Sequence, residues 1–398
     1  MENPTLNAGP LFLFVLAIIT LLLPLSLHLF FPALPSVMAD FSTSDAVVNL
    51  TVSVPLFVMA FMSLVYGFLS DRYGRRPVLL SSIVLFVAGS IVSTIAQDIW
   101  VLIAGRLLQA AGGGGGVVLA RVIARDVFGA DRLVKVLAYL TMAYAIGPMV
   151  SAPLGGALVD WAGWRAVLIA ATISGIIIGL VAFFVVTETH KKPSIRRSSW
   201  ATLRDFRDLF SNLRFIAYVF QSGFSSSVFF TMAAASSFLM IEYLQRSPSE
   251  YGLYFICFPL GFLTGSLISS RLAGIVNIET MVLLGSLAMV AAALIQSAFL
   301  IVNIVTPLTI FLPGFFTIVG QGLALPNAQS GAINVAGPLA GSAAGIGVFI
   351  QLLAGGIAIQ AYGLAADGTP FPIAVTVSAC AILGLTVGAI PFILREKP

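Results

Sequence analysis

The sequence predicts an all-helical membrane protein with twelve transmembrane helices in two six-helix bundles, and three observations carry that prediction. Only 9% of the 398 residues are charged and 59% are hydrophobic, against roughly 25% charged in a soluble domain. Apolar runs of twenty or more residues recur along the chain, the length that crosses a bilayer at about 1.5 Å per residue. The charged residues gather in short turns between those runs, and one long polar insert divides the runs six and six.

The spans are expected near 11–35, 47–70, 77–97, 99–124, 134–158, 164–187, 213–243, 249–271, 277–301, 303–328, 336–362 and 370–393. The first is too long for a secretory signal and lacks a basic leader, so it is read as a retained helix. Between the second and third lies Gly67-Phe68-Leu69-Ser70-Asp71-Arg72-Tyr73-Gly74-Arg75-Arg76-Pro77, a charged turn flanked by uncharged segments. From 280 to 366 no residue is charged, and the breaks there rest on Asn303, Pro307, Pro326-Asn327 and Gly337-Pro338. Ser247-Pro248-Ser249-Glu250 fits a capping box that opens the eighth helix.

The insert 189–212 links an N-terminal bundle, 1–188, to a C-terminal bundle, 213–398. Its Trp200, Leu203, Phe206 and Phe210 recur at near-helical spacing beside six basic residues. It reads either as an amphipathic helix on an anionic membrane surface or as a solvated linker. With an even number of spans, every Lys and Arg except Arg106, Arg165 and Arg246 falls on one side. The positive-inside rule makes that side, and both termini, cytoplasmic.

Several function classes are excluded at this level. The net charge of +4 is scattered over separate turns and makes no nucleic-acid surface. Cys257 and Cys380 both lie in apolar segments, so neither a disulfide framework nor a metal site is expected. No carboxylate pair, His cluster or Ser/His/Asp set lies at membrane depth, which argues against an enzyme and against any cofactor. The composition makes the lipid bilayer a partner.

Three motifs and four shorter segments stand out. In the 67–77 turn, Gly67 and Gly74 permit close packing and a tight reversal, while Asp71 and Arg75 can pair across it. Arg106-Leu107-Leu108-Gln109 places a cation roughly 9 Å inside the fourth helix. A charge at that depth is costly and faces the protein interior, an aqueous cavity or backbone carbonyls of the first helix. Gly147-Pro148 through Pro153, Gly155 and Gly156 in the fifth helix allow kinking and close sliding contact. Phe31-Pro32-Ala33-Leu34-Pro35, expected to end the first helix, Gly163-Trp164-Arg165, Pro326-Asn327-Ala328 and Ala340-Gly341-Ser342-Ala343 complete the set.

The 67–77 turn is similar to the signature between helices two and three of the major facilitator superfamily, and the further motifs resemble its bicyclomycin and chloramphenicol resistance group. The resemblance implies the major facilitator fold, a bacterial inner-membrane location and export of drugs or amphipathic solutes by proton antiport. From it a small-molecule substrate and protons are expected as partners, with the chain acting as a monomer. It further implies a conformational latch of Gly67, Asp71, Arg72, Gly74, Arg75 and Asp126, and an antiporter motif of Gly147, Pro148, Pro153, Gly155 and Gly156.

One departure bears on mechanism. That group usually carries an Asp near the outer end of helix one, where this chain has His28, and a Gln in helix two, where it has Ser63. His28 and Arg106 are the embedded titratable or charged groups and are expected to face one another across a central cavity. His28, with a reference pKa near 6.5, reads as a proton carrier, a hydrogen-bonding substrate contact or a packed bystander. Gln109, Tyr144, Gln221, Ser225, Asn327 and Gln351 are candidate polar lining of the same cavity, as are Ser222, Ser226, Thr231 and Gln321. An alternative function is transport of a specific metabolite, anionic if Arg106 meets it, without proton coupling through helix one.

Overall fold

In the computed structural model, residues 9–189, 207 and 209–394 are described. Among the described residues, twelve helices are long and apolar enough to span a membrane. They are α1 (Pro10–Asp40), α2 (Asp45–Tyr73), α3 (Arg75–Thr94), α4 (Ile99–Phe128), α5 (Lys135–Ala162), α6 (Trp164–Val185), α7 (Leu213–Tyr243), α8 (Pro248–Leu272), α9 (Ile278–Ile301), α10 (Pro307–Ala336), α11 (Ala340–Ala365) and α12 (Phe371–Ile393). No strand occurs among the described residues. Large apolar side chains such as Phe14, Val84 and Phe184 point outward, as a lipid-facing surface requires.

The caps explain where the helices begin. Asp98 accepts from the Trp100 amide at 2.7 Å to open α4, and Asn212 accepts from Arg214 and Phe215 to open α7. Ser247 accepts from the Glu250 amide at 3.1 Å, as its sequence pattern predicts. Thr306 and Thr309 form a reciprocal box ahead of α10.

Several boundaries differ from the sequence expectation. The 31–35 segment does not end α1. It tightens into a 3-10 turn over Phe31–Ala33 and then resumes as helix to Asp40. Pro326 does not break α10, because a proline inside a membrane helix removes one donor and its neighbours absorb the loss. The helix stops at Gly337, where φ is +52°. The reversal between α2 and α3 is a single residue, Gly74, with φ +97°, a conformation that costs glycine little.

Helical backbone runs without assigned break from Ile99 to Ala162. The chain nevertheless doubles back there, since Gly116 packs on Ile19 and Gly147 on Pro24, both in α1. Most of the 189–212 insert, including Trp200, Leu203 and Phe206, lies outside the described residues; Phe210 stacks edge-on against Phe215 at 6.1 Å.

Two helix pairs carry most of the packing between the first six helices and the last six. These are α2 against α11 and α5 against the first turns of α8. They are in tight contact at the end that holds His28 and Asp40. There an added Cβ on Gly363 would lie 2.9 Å from the Asn49 amide nitrogen, and one on Gly252 would lie 2.6 Å from the Ala152 carbonyl. Toward the basic end the α2–α11 pair diverges. Gly345 approaches Leu64 only to 3.6 Å, and beyond it Gly341 and Gly67 face open space. The molecule is thus sealed at one end and parted at the other.

Candidate functional site

The charged turn folds into a network at the basic end. Arg75, only 3% exposed, sets its NH1 2.5 Å from Asp71 and donates Nε to Asp126 at 3.0 Å. NH1 also donates to Ser70 at 2.6 Å. Glu188 completes the network, and its role could not be read from spacing alone. Its carboxylate accepts from the Arg75 and Arg76 amides at 3.0 and 3.2 Å. It thereby satisfies the orphan donors that begin α3, where the helix dipole favours a negative charge.

Arg72 stays out of the network and lies over the Tyr73 ring. The close packing expected at Gly67 is absent: a Cβ added there would meet nothing within 4 Å.

Arg106 is 1% exposed and points into the protein, not toward lipid. Its Nε donates to the Thr51 carbonyl of α2 at 3.2 Å, NH1 donates to Gln109 Oε1, and the guanidinium covers the Phe30 ring at 4.3 Å. The backbone carbonyl it finds therefore belongs to α2, whereas α1 offers an aromatic face. Gln109 passes the connection on, donating Nε2 to Ser90 of α3 at 2.7 Å. The guanidinium and Gln109 thus tie four helices together, and Arg106 NH2 keeps no partner among the described residues.

His28 lies in an aromatic surround. Phe31, Phe229 and Phe255 surround its ring at 5.6, 5.8 and 5.9 Å, bringing together α1, α7 and α8. No hydrogen bond joins His28 to Arg106 among the described residues, and His28 Nδ1 is buried without a partner. Each group has its own aromatic contacts, Phe30 for Arg106 and Phe31, Phe229 and Phe255 for His28.

The second half has its own polar cluster. Gln221 donates Nε2 to Ser225 at 2.9 Å and to Ser286 at 3.1 Å, while Gln321 donates to the Ser225 carbonyl at 2.9 Å. The Gln221 and Gln321 Oε1 atoms, Thr231 Oγ1 and Gln351 Nε2 are buried without partners. Asn327 does not join them: it donates to Ser269 of α8 at 2.7 Å and to the Leu323 carbonyl, at a helix-packing interface. Tyr144 is half-buried on α5.

The fifth-helix motif works as two contact faces. Gly147 packs on Pro24 and Gly155 on the Leu29 carbonyl, both in α1, whereas Gly156 meets the Pro248 carbonyl of α8. Pro148 is buried and Pro153 half-buried, with Pro153 Cα beside Gly252. Two cross-seam sets of hydrogen bonds escaped the sequence reading. Gln360 of α11 accepts from Ser53 and donates to the Ala46 carbonyl, each at 2.9 Å. Asp160 accepts from the Ser249 amide at 3.0 Å, and Ser237 donates to the Phe31 carbonyl at 2.8 Å.

The profile of the Major Facilitator Superfamily matches residues 16–359. The chain belongs to that superfamily. A member named as an uncharacterized MFS-type transporter, YdgK of Bacillus subtilis (strain 168), is 27% identical over 388 residues, covering 96% of each chain. A bicyclomycin resistance protein homolog of Haemophilus influenzae is 27% identical over 274 residues, 68% of each chain. The multidrug resistance protein MdtL of Salmonella paratyphi A is 28% identical over 59% of each.

The superfamily's fold is matched along the chain's whole length. A bacterial homolog of the lysosomal transporter Spinster, in an inward-facing and unoccupied conformation, superposes with a TM-score of 0.78. That match covers 100% of both chains at 15% identity. The Escherichia coli xylose transporter XylE, partially occluded and inward open, gives 0.71 at 13% identity, over 97% and 98% of the two chains. This chain is therefore a multi-pass membrane transporter of the major facilitator fold.

Proposed function

We propose that the protein exports small amphipathic solutes or drugs across the bacterial inner membrane by alternating access, coupled to proton antiport. Residues 1–188 and 213–398 are the two rocking halves, joined by 189–212, with both termini cytoplasmic and the chain acting as a monomer.

The observation that carries this reading is the pair of buried polar clusters, one in each half, that keep unpaired atoms: Arg106 NH2 in the first, and Gln221, Gln321, Thr231 and Gln351 atoms in the second. A buried polar atom without a partner costs about 1–3 kcal/mol, and a solute or water entering between the halves would satisfy it. The surrounding Phe and Ala side chains suit an amphipathic, uncharged body. The relatives named for bicyclomycin and multidrug resistance support the same class.

The deciding measurement is chloramphenicol or bicyclomycin accumulation in inverted vesicles under an imposed pH gradient. Gradient-driven accumulation that a protonophore collapses is the expected result. Gradient-independent movement would remove the antiport, and an anionic metabolite that alone accumulates would replace drugs as cargo.

A further inference from the structure

At the sealed end, away from both polar clusters, a cavity of about 320 Å³ opens between α2, α7, α11 and the loop that follows α11. Two carboxylates line it, Asp45 from the first turn of α2 and Glu242 from the end of α7. Neither has a cationic partner among the described residues, and the basic side chains of this end are engaged elsewhere. Arg165 pairs with Asp40 at 3.0 Å and Arg246 with Glu250 at 3.8 Å. Tyr362 also lines the cavity; it is only 5% exposed, yet its hydroxyl makes no hydrogen bond among the described residues. Phe238, Leu239 and Tyr243 supply the remaining walls.

Asp367 adds a third negative charge near the mouth. Its carboxylate accepts from the Thr369 hydroxyl and amide at 2.6 and 2.9 Å, which holds it below the usual carboxylate range.

Ionising both carboxyls in a partly desolvated cavity is unfavourable, and a positive charge between them relieves that cost. A bare calcium ion needs six or more oxygens, and no group of three metal-ligating side chains occurs among the described residues. Aromatic walls beside paired acids instead suit an organic cation, whose charge is attracted both to carboxylate and to ring face. We propose that this cavity binds an organic cation, with its ammonium between Asp45 and Glu242 and its apolar body against Tyr362 and Phe238.

Asp45 belongs to the first six helices, and Glu242 and Tyr362 to the last six. A cation bound there bridges the seam and holds this end shut. The site stands apart from the direction and coupling of transport, since it is tested by binding alone.

The test is calorimetric titration of the purified full chain with benzyltrimethylammonium, together with its effect on thermal unfolding. Saturable binding is expected, raising the Tm of the unsubstituted protein. Asp45→Asn and Glu242→Gln should each weaken binding tenfold or more, about 1.4 kcal/mol, and abolish the Tm rise. Glu242 is exposed, so Glu242→Lys should keep a cooperative unfolding transition while eliminating binding, even if Asp45→Asn fails to fold. Absence of saturable binding, or unchanged affinity in Glu242→Gln and Glu242→Lys, would overturn the proposal. So would a Tm rise produced by sodium or calcium chloride and not by the organic cation.

Discussion

Arg75 donates its Nε to Asp126 at 3.0 Å, joining the first turn of α3 to the basic end of α4. The same guanidinium reaches Asp71 at 2.5 Å, but the two acids are not equivalent: the Asp71 side chain is 49% exposed and that of Asp126 18%.

Exposure decides which half of that pair of contacts matters. Removing Asp126 takes a hydrogen-bonded partner from the buried Arg75, which costs more than losing an exposed i,i+4 pair worth about 0.3–0.5 kcal/mol. Asp126→Asn is therefore expected to lower the unfolding midpoint of the purified protein well below that of Asp71→Asn. Equal midpoints for the two variants would refute the ranking.

Arg106→Lys keeps the charge and loses the fork. A single ammonium cannot hold the Thr51 carbonyl and Gln109 together while covering Phe30. One lost hydrogen bond to a charged group is worth about 1.5–3 kcal/mol. Thermal unfolding in detergent should show at least that loss, with solute transport reduced alongside. A lysine variant as stable as the parent would mean the fork is dispensable.

Two glycines of the resemblance motifs should respond in opposite ways. An alanine at Gly155 would drive its Cβ into the Leu29 carbonyl, wedging α5 from α1 at the sealed end. An alanine at Gly67 meets nothing within 4 Å in this conformation and gains about 0.5–1 kcal/mol of helix stability. Cysteine labelling at the sealed end should rise in Gly155→Ala and stay unchanged or fall in Gly67→Ala. The reverse pattern would contradict the assignment of which end is closed.

His28→Phe preserves the ring contacts with Phe31, Phe229 and Phe255 while deleting an unpartnered buried nitrogen. Unfolding temperatures no lower than the parent's are expected, since the removed atom carries a penalty of about 1–3 kcal/mol. If pH-driven transport survives in this variant as well, the proton travels through another group. A protein that stays folded and binds solute, but no longer responds to pH, would assign the proton to His28.

The seam depends on polar contacts as well as on glycines. Gln360 makes two of them, accepting from Ser53 and donating to the Ala46 carbonyl. Gln360→Leu leaves both partners without it, at about 1 kcal/mol for each neutral hydrogen bond. Spin labels placed on α2 and α11 near the sealed end should report a longer or broader distance distribution. An unaltered distribution would show that packing alone closes the seam.

The two kinds of signal in the sequence were unequally legible. Asp71 and Arg75 could be linked because they share one short charged turn beside a membrane span, whereas Asp126 was joined to them only through the resemblance to the superfamily. The interior placement of Arg106 followed from the cost of a charge at membrane depth. Glu188 carries the same kind of charge, but its partners are backbone amides 113 and 112 residues away, and no residue pattern marks an amide. How His28 and Arg106 lie relative to one another was not legible for a related reason: similar depth along two helices says nothing about which face each side chain takes. Asn327 failed likewise, turning to Ser269 rather than inward.

The number of crossings, the charge asymmetry of the turns and the fold class were determined by the amino-acid sequence itself, because hydrocarbon admits only apolar, internally bonded segments of fixed length. Tertiary structure decided which end is closed, which polar atoms remain unpaired and that Asp45, Glu242 and Tyr362 share one cavity. Those outcomes depend on helix rotation and on close backbone approach between segments more than a hundred residues apart, which local patterning does not encode.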